Sequence, residues 1–130
     1  MDQSSVLFLD ANILIEIILG RDHSEAAVKL IENHPGQPAI STLTGHLVMY
    51  FGGRISTTRL LQGFLADFDM LPLEKTDFDW AFANLHGDDF EDALQLAIAI
   101  RNGYDKFLTL DKKLYNAYKN LEAISVQLLV

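Results

Sequence analysis

The sequence predicts an α/β fold in which a mostly parallel central sheet lies between two layers of helices. Short apolar runs, typical of strands covered on both faces, alternate with longer segments whose apolar residues recur at helical spacing. Strands that alternate with helices are joined by right-handed crossovers, which make neighbouring strands parallel. The 130 residues suffice for one hydrophobic core, so we expect residues 1–130 to form a single domain.

Residues 6–33 predict one strand followed by two helices. The run at 6–9 is continuously apolar and ends at Asp10, as a strand buried on both faces does. Apolar residues then recur at helical spacing until Gly20, a residue type that often ends helices, and a second helical pattern begins at Ser24. The same order of strand and then helix recurs further along the chain.

The middle of the chain predicts two more strands, each followed by a helix. Residues 39–40 form a short apolar strand, and Ser41 or Thr42 is suited to cap the helix that comes next. Ser56 is expected to cap another helix, which precedes a short strand at 70–73.

The last third of the chain predicts the most buried helix. Thr76 and Asp77 open a helix that Gly87 ends. Asp88 or Asp89 caps the next helix, whose broad apolar stripe indicates burial. Two closing strands, separated by a short helix, are expected at residues 106–110 and 124–128.

The composition excludes several classes of site. The chain has no cysteine, which excludes disulfides, thiolate metal sites and cysteine nucleophiles. Its formal net charge of −8 argues against a broad basic surface for binding nucleic acid. The apolar stretches fall short of the roughly 20 residues of a membrane span, and the first residues carry no basic region, so we expect a cytoplasmic protein.

Aspartates mark the ends of two predicted strands and the start of one predicted helix. Asp10 and Asp111 each follow a buried apolar strand, and parallel strands end at a common edge, so both side chains should emerge there. Asp88 and Asp89 precede Asp92 by four and three residues, a spacing that puts helical side chains on one face. We therefore expect these carboxylates to meet at the carboxyl edge of the sheet.

Clustered carboxylates require a compensating charge. Like charges in a crevice repel each other, so such a cluster needs either protonation or a bound cation. A set of oxygen ligands favours Mg²⁺ or Mn²⁺. The four histidines show no metal-ligand spacing, and no glycine-rich loop or serine nucleophile motif is present.

An alternative interpretation is that the aspartates only cap helices. Asp88, Asp89, Asp10 and Asp111 all stand where a side-chain oxygen can accept from the free amides of a helix start. Asp92 fits that interpretation least, because it lies within an otherwise apolar helix.

Three short blocks of sequence resemble the signature blocks of PIN-domain proteins, and the VapC-like toxin ribonucleases most of all. In order they are Leu-Asp-Ala-Asn-Ile at 9–13, Asp-Phe-Glu-Asp-Ala-Leu-Gln at 89–95 and Phe-Leu-Thr-Leu-Asp at 107–111. The resemblance implies a PIN-like three-layer α/β/α sandwich and a magnesium- or manganese-dependent endoribonuclease. Metal would be held by the catalytic residues Asp10, Asp92 and Asp111, while Asn12 and Thr109 orient these ligands.

The resemblance also implies partners. RNA would be the substrate, and an antitoxin protein would be the partner of a toxin of this kind. An apolar surface on an early helix is suited to an antitoxin contact or to a homodimer, and periodicity alone does not separate such a surface from core.

One departure from the family bears on catalysis. The family usually carries a glutamate on the helix after the second strand, but residues 41–50 contain no acid. His46 falls close to that position, so His46→Glu is expected to restore an oxygen ligand, and Glu91 or Asp89 could compensate from a neighbouring helix. Two other hypotheses stay open: a PIN-like module that binds RNA or protein without cleavage, and a structural domain whose aspartates are coincidental caps.

Overall fold

A computed structural model describes residues 7–129 and contains a five-stranded sheet, in which every recorded pairing is parallel. Val6, predicted as part of the first strand, lies outside the described residues. The prediction of an α/β fold is confirmed. In chain order the strands are β1 (Leu7–Leu9), β2 (Ala39–Ser41), β3 (Asp69–Leu71), β4 (Lys106–Thr109) and β5 (Ser125–Leu128).

Seven helices are found within residues 7–129, and none of them is long and apolar enough to cross a bilayer. They are α1 (Ala11–Leu19), α2 (Ser24–Asn33), α3 (Thr42–Gly52), α4 (Thr58–Leu65), α5 (Lys75–Asn84), α6 (Phe90–Arg101) and α7 (Lys112–Tyr118).

The order of the strands in the sheet is β3-β2-β1-β4-β5. From β1 the chain builds outward through β2 to β3, and it then returns to the other side of β1 to add β4 and β5. The order therefore reverses between β1 and β4. In open parallel sheets a crevice opens at such a point, beyond the carboxyl ends of the strands. Asp10 and Asp111 follow these two strands.

The sheet separates two hydrophobic clusters, because successive strand residues point to opposite faces. Leu7, Leu9, Ile40 and Leu108 pack with buried residues of the first four helices. The alternate strand residues, on the other face of the sheet, pack with buried residues of the last three helices. These strand residues are Phe8, Ala39, Phe107 and Val126. The sheet is thus covered on both faces, as the continuous apolar strands predicted.

Two predicted helix boundaries differ from those observed. Thr57, rather than Ser56, caps α4, and its hydroxyl accepts from the Leu60 amide at 3.2 Å. Helix α5 ends at Asn84, so Gly87, with φ of 91°, lies in the connection to α6 rather than at the helix end. Glycine is suited there because its positive φ is strained for other residues. The other boundaries agree within a residue or two.

Arg101, the last residue of α6, joins that helix to the start of α5. Its guanidinium donates to both carboxylate oxygens of Asp77, at 2.8 and 3.0 Å, and to the Pro72 carbonyl at 2.7 Å. Asp77 is 1% exposed, and its carboxylate also accepts from the Glu74 amide at 2.8 Å. This bidentate pair holds the carboxyl end of α6 in place.

The β3 strand is one edge of the sheet. It has three residues, of which Asp69 and Met70 are exposed. Pro72 follows directly after the strand.

Candidate metal centre at the carboxyl edge of the sheet

Asp10 lies at the point where the strand order reverses, between β1 and α1. Its side chain is buried, and Oδ1 accepts from the Ala11 amide at 2.7 Å, which caps α1. Oδ2 accepts from Asn12 Nδ2 at 3.1 Å and from Thr109 Oγ1 at 2.8 Å. The carboxylate is therefore fixed by residues of both α1 and β4.

Asn12 and Thr109 tie the start of α1 to the end of β4. Asn12 Nδ2 also donates to Thr109 Oγ1 at 3.1 Å, and Asn12 Oδ1 accepts from the Leu110 amide at 3.1 Å. Thr109 Oγ1 accepts from the Asp111 amide at 3.0 Å. The structure thus brings both residues against Asp10, in the position from which a ligand is oriented.

Asp89 and Asp111 cap helices, each through one oxygen. Asp89 Oδ1 accepts from the amides of Glu91 and Asp92 at 3.0 and 3.4 Å. Asp111 Oδ1 accepts from the amides of Lys113 and Leu114 at 2.8 and 3.4 Å. Capping is therefore real at these positions, but neither Oδ2 accepts a hydrogen bond from the residues described. Capping and ligation are not exclusive.

The shifts in pKa show which carboxylates interact electrostatically with one another. Burial, and after it the charges of Asp10, Asp89, Asp111 and Glu91, together raise the pKa of Asp92 to about 8. Burial likewise raises the pKa of Asp10 to about 6, with hydrogen bonds from Thr109 and Ala11 opposing the shift and the charges of Glu91 and Asp111 adding to it.

Glu91 belongs to the same cluster. Burial, followed by the charge of Asp89, raises the pKa of its carboxyl group. The acidic cluster therefore comprises Asp10, Asp89, Glu91, Asp92 and Asp111. Asp88, which we expected to share the face of Asp92, is not among the groups that act on these pKa values.

The donor chemistry of the acidic cluster fits a hard divalent cation. Carboxylate oxygens are the ligands that Mg²⁺ and Mn²⁺ prefer, and a cation would relieve the repulsion that raises the pKa values of Asp10 and Asp92. In the conformation described, no three acidic or imidazole side chains of residues 7–129 are grouped closely enough to hold one ion. Ligation of one ion by three of these carboxylates would therefore require side-chain rotation within the cluster.

His46 lies outside the acidic cluster. It is exposed on α3, its ring centroid is 6.5 Å from that of Tyr50, and no hydrogen bond or ion pair within the described part of the chain joins it to a carboxylate. Thr44 on the same helix bonds to Gln95 of α6. His46 follows Thr44 by two residues, which corresponds to a rotation of about 200° about the helix axis. His46 therefore faces away from α6.

Leu47 lies on the side of α3 that faces α6. It lies one turn after Thr44 and therefore on nearly the same face of the helix. It is half-buried, yet it belongs to neither hydrophobic cluster of the described residues. His46, which we expected near the position of the missing acid, therefore lies off the face of α3 that Thr44 turns toward α6, whereas Leu47 lies on that face.

A cavity of about 590 Å³ opens beside the acidic cluster, between α7 and the connection that leads into α6. Sequence reasoning missed most of its lining, because His86, Asn116 and Tyr118 come from separate segments without a motif. The Tyr118 hydroxyl accepts from the His86 amide at 3.0 Å and so joins two walls. The lining comprises His86, Gly87, Asp88, Asp89, Asp92, Asp111, Lys113, Leu114, Asn116, Ala117 and Tyr118.

Asp92→Asn is expected to stabilise the metal-free protein at pH 8. The raised pKa of Asp92 means that folding favours its protonated form, so this contribution is complete below about pH 4 and is lost as the pH rises toward 8. We expect a melting temperature higher by roughly 4 °C at pH 8, as about 1 kcal/mol gives in a domain of this size, and a smaller difference at pH 5. Thermal unfolding in chelator measures both.

A purely structural role for Asp92 predicts the opposite sign. Asp79→Asn is the matched control, because Asp79 is exposed on α5 and should leave the melting temperature unchanged. A marked loss of stability in Asp92→Asn, without a change in the control, would contradict the assignment of Asp92 to the acidic cluster.

Solved structures with this fold include proteins of toxin–antitoxin systems. A toxin–antitoxin complex from Klebsiella pneumoniae aligns with a TM-score of 0.74 and 24% identity over 92% of this chain and 95% of that one. VapC20 from Mycobacterium tuberculosis, described as a sarcin–ricin loop cleaving toxin, aligns with a TM-score of 0.66 and 16% identity over 85% and 94%. At these identities the likeness establishes the fold.

Sequence comparison identifies the family. No curated protein sequence matches the chain significantly. The sequence model of the PIN domain, however, matches residues 7–120. This range includes all five carboxylates of the acidic cluster and the strands β1 and β4, which precede Asp10 and Asp111. The chain therefore belongs to the PIN domain family.

Proposed function

We propose that this protein is a magnesium- or manganese-dependent endoribonuclease, and that it is the toxin of a toxin–antitoxin pair. The observation that carries the proposal is the electrostatic interaction among five oxygen-donor carboxylates, of which Asp10 lies at the point where the strand order reverses. Similar solved structures that are described as toxins, one of them cleaving the sarcin–ricin loop, support RNA as the substrate.

The residues have distinct roles in this proposal. Asp10, Asp92 and Asp111 would hold the cation, which when bound lowers the pKa of water and stabilises charge on phosphate oxygens. Asn12 and Thr109 keep the Asp10 carboxylate turned toward the crevice through the contacts at 3.1 and 2.8 Å. Burial of Asp10 excludes water from one side of the site, which strengthens its electrostatic interactions.

The cavity beside the acidic cluster offers space for a nucleotide of the RNA. Lys113 lines it together with Asp92 and Asp111, and no ion pair within 4 Å joins Lys113 to a carboxylate of the described residues. Its ammonium group is therefore available to a phosphate. Arg54, Arg59 and Lys112 are further basic residues of the chain, and we propose that they contribute to substrate selection.

A time course with single-stranded RNA tests the proposal. We expect cleavage that requires Mn²⁺ or Mg²⁺, stops with chelator, and is slow compared with that of a complete four-acid site. The alternative is a PIN module that binds RNA without cleaving it, which the absence of an acid on α3 favours. Bound but intact RNA, with metal present, would support that alternative; cleavage that survives chelator would indicate a contaminant.

Leu47→Glu is expected to raise the rate of cleavage with Mg²⁺ by about tenfold, which is the size of effect typical of one added metal contact. The reason is the position of Leu47, on the face of α3 that Thr44 turns toward α6. His46→Glu is the matched control, because it adds the same charge about 100° further round the same helix. A larger gain for His46→Glu would show that our assignment of the α3 face is wrong.

An antitoxin is the partner that we propose for the apolar groove between α1 and α4. Ile55 and Leu60 of this groove are 60% and 67% exposed, and Ile17 and Ile18 of the early helix line it with them. Large exposed apolar side chains in a group mark interaction sites. Structures similar to this chain are described as complexes of toxin and antitoxin.

Leu60→Glu should weaken co-purification with the product of an adjacent small reading frame by more than tenfold, because a charge would enter the apolar contact. Gln62→Glu adds the same charge on the other side of α4 and should have no effect. Equal binding by both variants would place the antitoxin elsewhere.

A homodimer is the second assembly that we propose. Phe78 and Phe82 of α5 are 37% and 71% exposed and contact the ring of Phe90 at centroid distances of 5.8 and 4.9 Å. This aromatic surface is suited to a second copy of the chain. Sedimentation velocity of the toxin alone measures the assembly.

A further inference from the structure

The Gln95 side chain is a buried polar group with one half of its amide unpaired. It is 1% exposed in the middle of α6, and Nε2 donates to Thr44 Oγ1 at 3.0 Å. Its Oε1 is also buried and has no hydrogen-bond partner among the described residues. Buried acceptors are nearly always paired, because leaving one unpaired destabilises the fold. Stability of the fold alone does not explain the choice of glutamine here.

Gln95 lies beside the acidic cluster. It follows Asp92 by three residues on α6, a spacing that puts both side chains on one face. Its partner Thr44 donates its amide to Ser41 Oγ at 3.1 Å. Ser41 ends β2 and, by the register that pairs Phe8 with Ala39, stands level with Asp10. Gln95 is thus linked through Thr44 to Ser41, which stands beside Asp10 on the side opposite Thr109.

We propose that the Gln95 amide oxygen is a donor to the divalent cation of the acidic cluster. The Gln95 oxygen would reach the cation from α6. It would take the place of an acidic oxygen on α3, where Leu47 has no oxygen in its side chain. The inference rests on the metal dependence of the proposed function. An amide oxygen is a hard, neutral donor, so it adds a ligand without adding charge to carboxylates that already repel one another.

Titration of the metal-free protein with Mn²⁺, followed by electron paramagnetic resonance, tests this role without requiring activity. Gln95→Met keeps the length of the side chain and removes the oxygen, so we expect Kd for Mn²⁺ to rise about tenfold. Gln95→Glu keeps the oxygen and adds charge, so we expect Kd to fall below that of the wild type. Gln62→Met, on the exposed side of α4, is the matched control and should bind as the wild type does.

A second comparison separates ligation from packing. Thr44→Val removes the partner of Nε2 but leaves the Gln95 oxygen, so a purely structural role predicts equal losses of Mn²⁺ affinity in Thr44→Val and Gln95→Met. Ligation predicts the larger loss in Gln95→Met. Melting temperatures in chelator report the structural part of each change, and the added stabilisation by Mn²⁺ reports the metal-linked part.

Two outcomes would overturn the inference, and they are distinguishable. Wild-type affinity in both Gln95→Met and Gln95→Glu would remove Gln95 from the site and leave the proposed function intact. Absence of Mn²⁺ binding by the wild type at millimolar concentration would overturn the metal-dependent function and the role of Gln95 together. If Gln95→Met fails to fold, unchanged affinity in Gln95→Glu alone contradicts the proposal.

Discussion

Asp10→Asn should reduce metal-dependent cleavage of RNA at least about 100-fold while the fold persists. The change removes the charge of the most buried carboxylate of the acidic cluster, which has contacts to both α1 and β4. Asparagine is as good a helix cap as aspartate, so α1 should still begin at Ala11. The measurement is the initial rate on single-stranded RNA with Mn²⁺, together with the melting temperature in chelator.

Asp111→Asn should have a similar effect on the rate, because Asp111 belongs to the same acidic cluster as Asp10. Asparagine should still cap α7, so the fold should persist. Asp79→Asn serves as the control for both variants, since it removes an exposed charge of the same kind. Chelator-sensitive cleavage at the wild-type rate in either cluster variant would mean that the cation is held elsewhere.

Asp77→Ala should lower the free energy of unfolding by about 3 kcal/mol, the low end of the range for breaking a buried ion pair. Asp77 is 1% exposed and binds Arg101 through both oxygens, so its removal leaves a partly buried guanidinium without its main partner. It also removes the acceptor for the Glu74 amide at the start of α5. Urea unfolding at pH 7, with chelator present, measures the change.

Asp79→Ala is the control for this experiment, because Asp79 lies two residues away on α5 and is exposed. A change within about 0.5 kcal/mol is expected there. Equal losses in the two variants would show that the effect belongs to the helix as a whole rather than to the pair with Arg101.

The order of strands and helices could be predicted from the sequence because each buried strand is a short apolar run with a polar residue at its end. The boundaries could be predicted less well. Ser56 and Thr57 are equally good caps by type, and only the approach of the Leu60 amide selects Thr57. Gly87 was expected to end a helix, but it lies in the connection between α5 and α6, where the backbone has a positive φ.

The candidate site was predictable where it follows from strand ends and not where it depends on tertiary contacts. Asp10 and Asp111 follow neighbouring strands, so topology alone brings them to one edge. The orientation of α3 about its axis is set by contacts such as Thr44 with Gln95, so the choice between His46 and Leu47 needed the structure. Gln95 itself gave a usable signal, as a polar residue in an apolar helix three positions after Asp92.

The short β3 edge limits how two copies of this chain can associate. An unpaired strand edge can extend a sheet by recruiting another strand, which leads to continuous sheets and aggregation. Here the edge offers three residues, exposes the charge of Asp69 and is followed by Pro72, which has no amide hydrogen to donate. Strand addition at this edge is therefore disfavoured, and a helical surface is the better place for a second copy to bind.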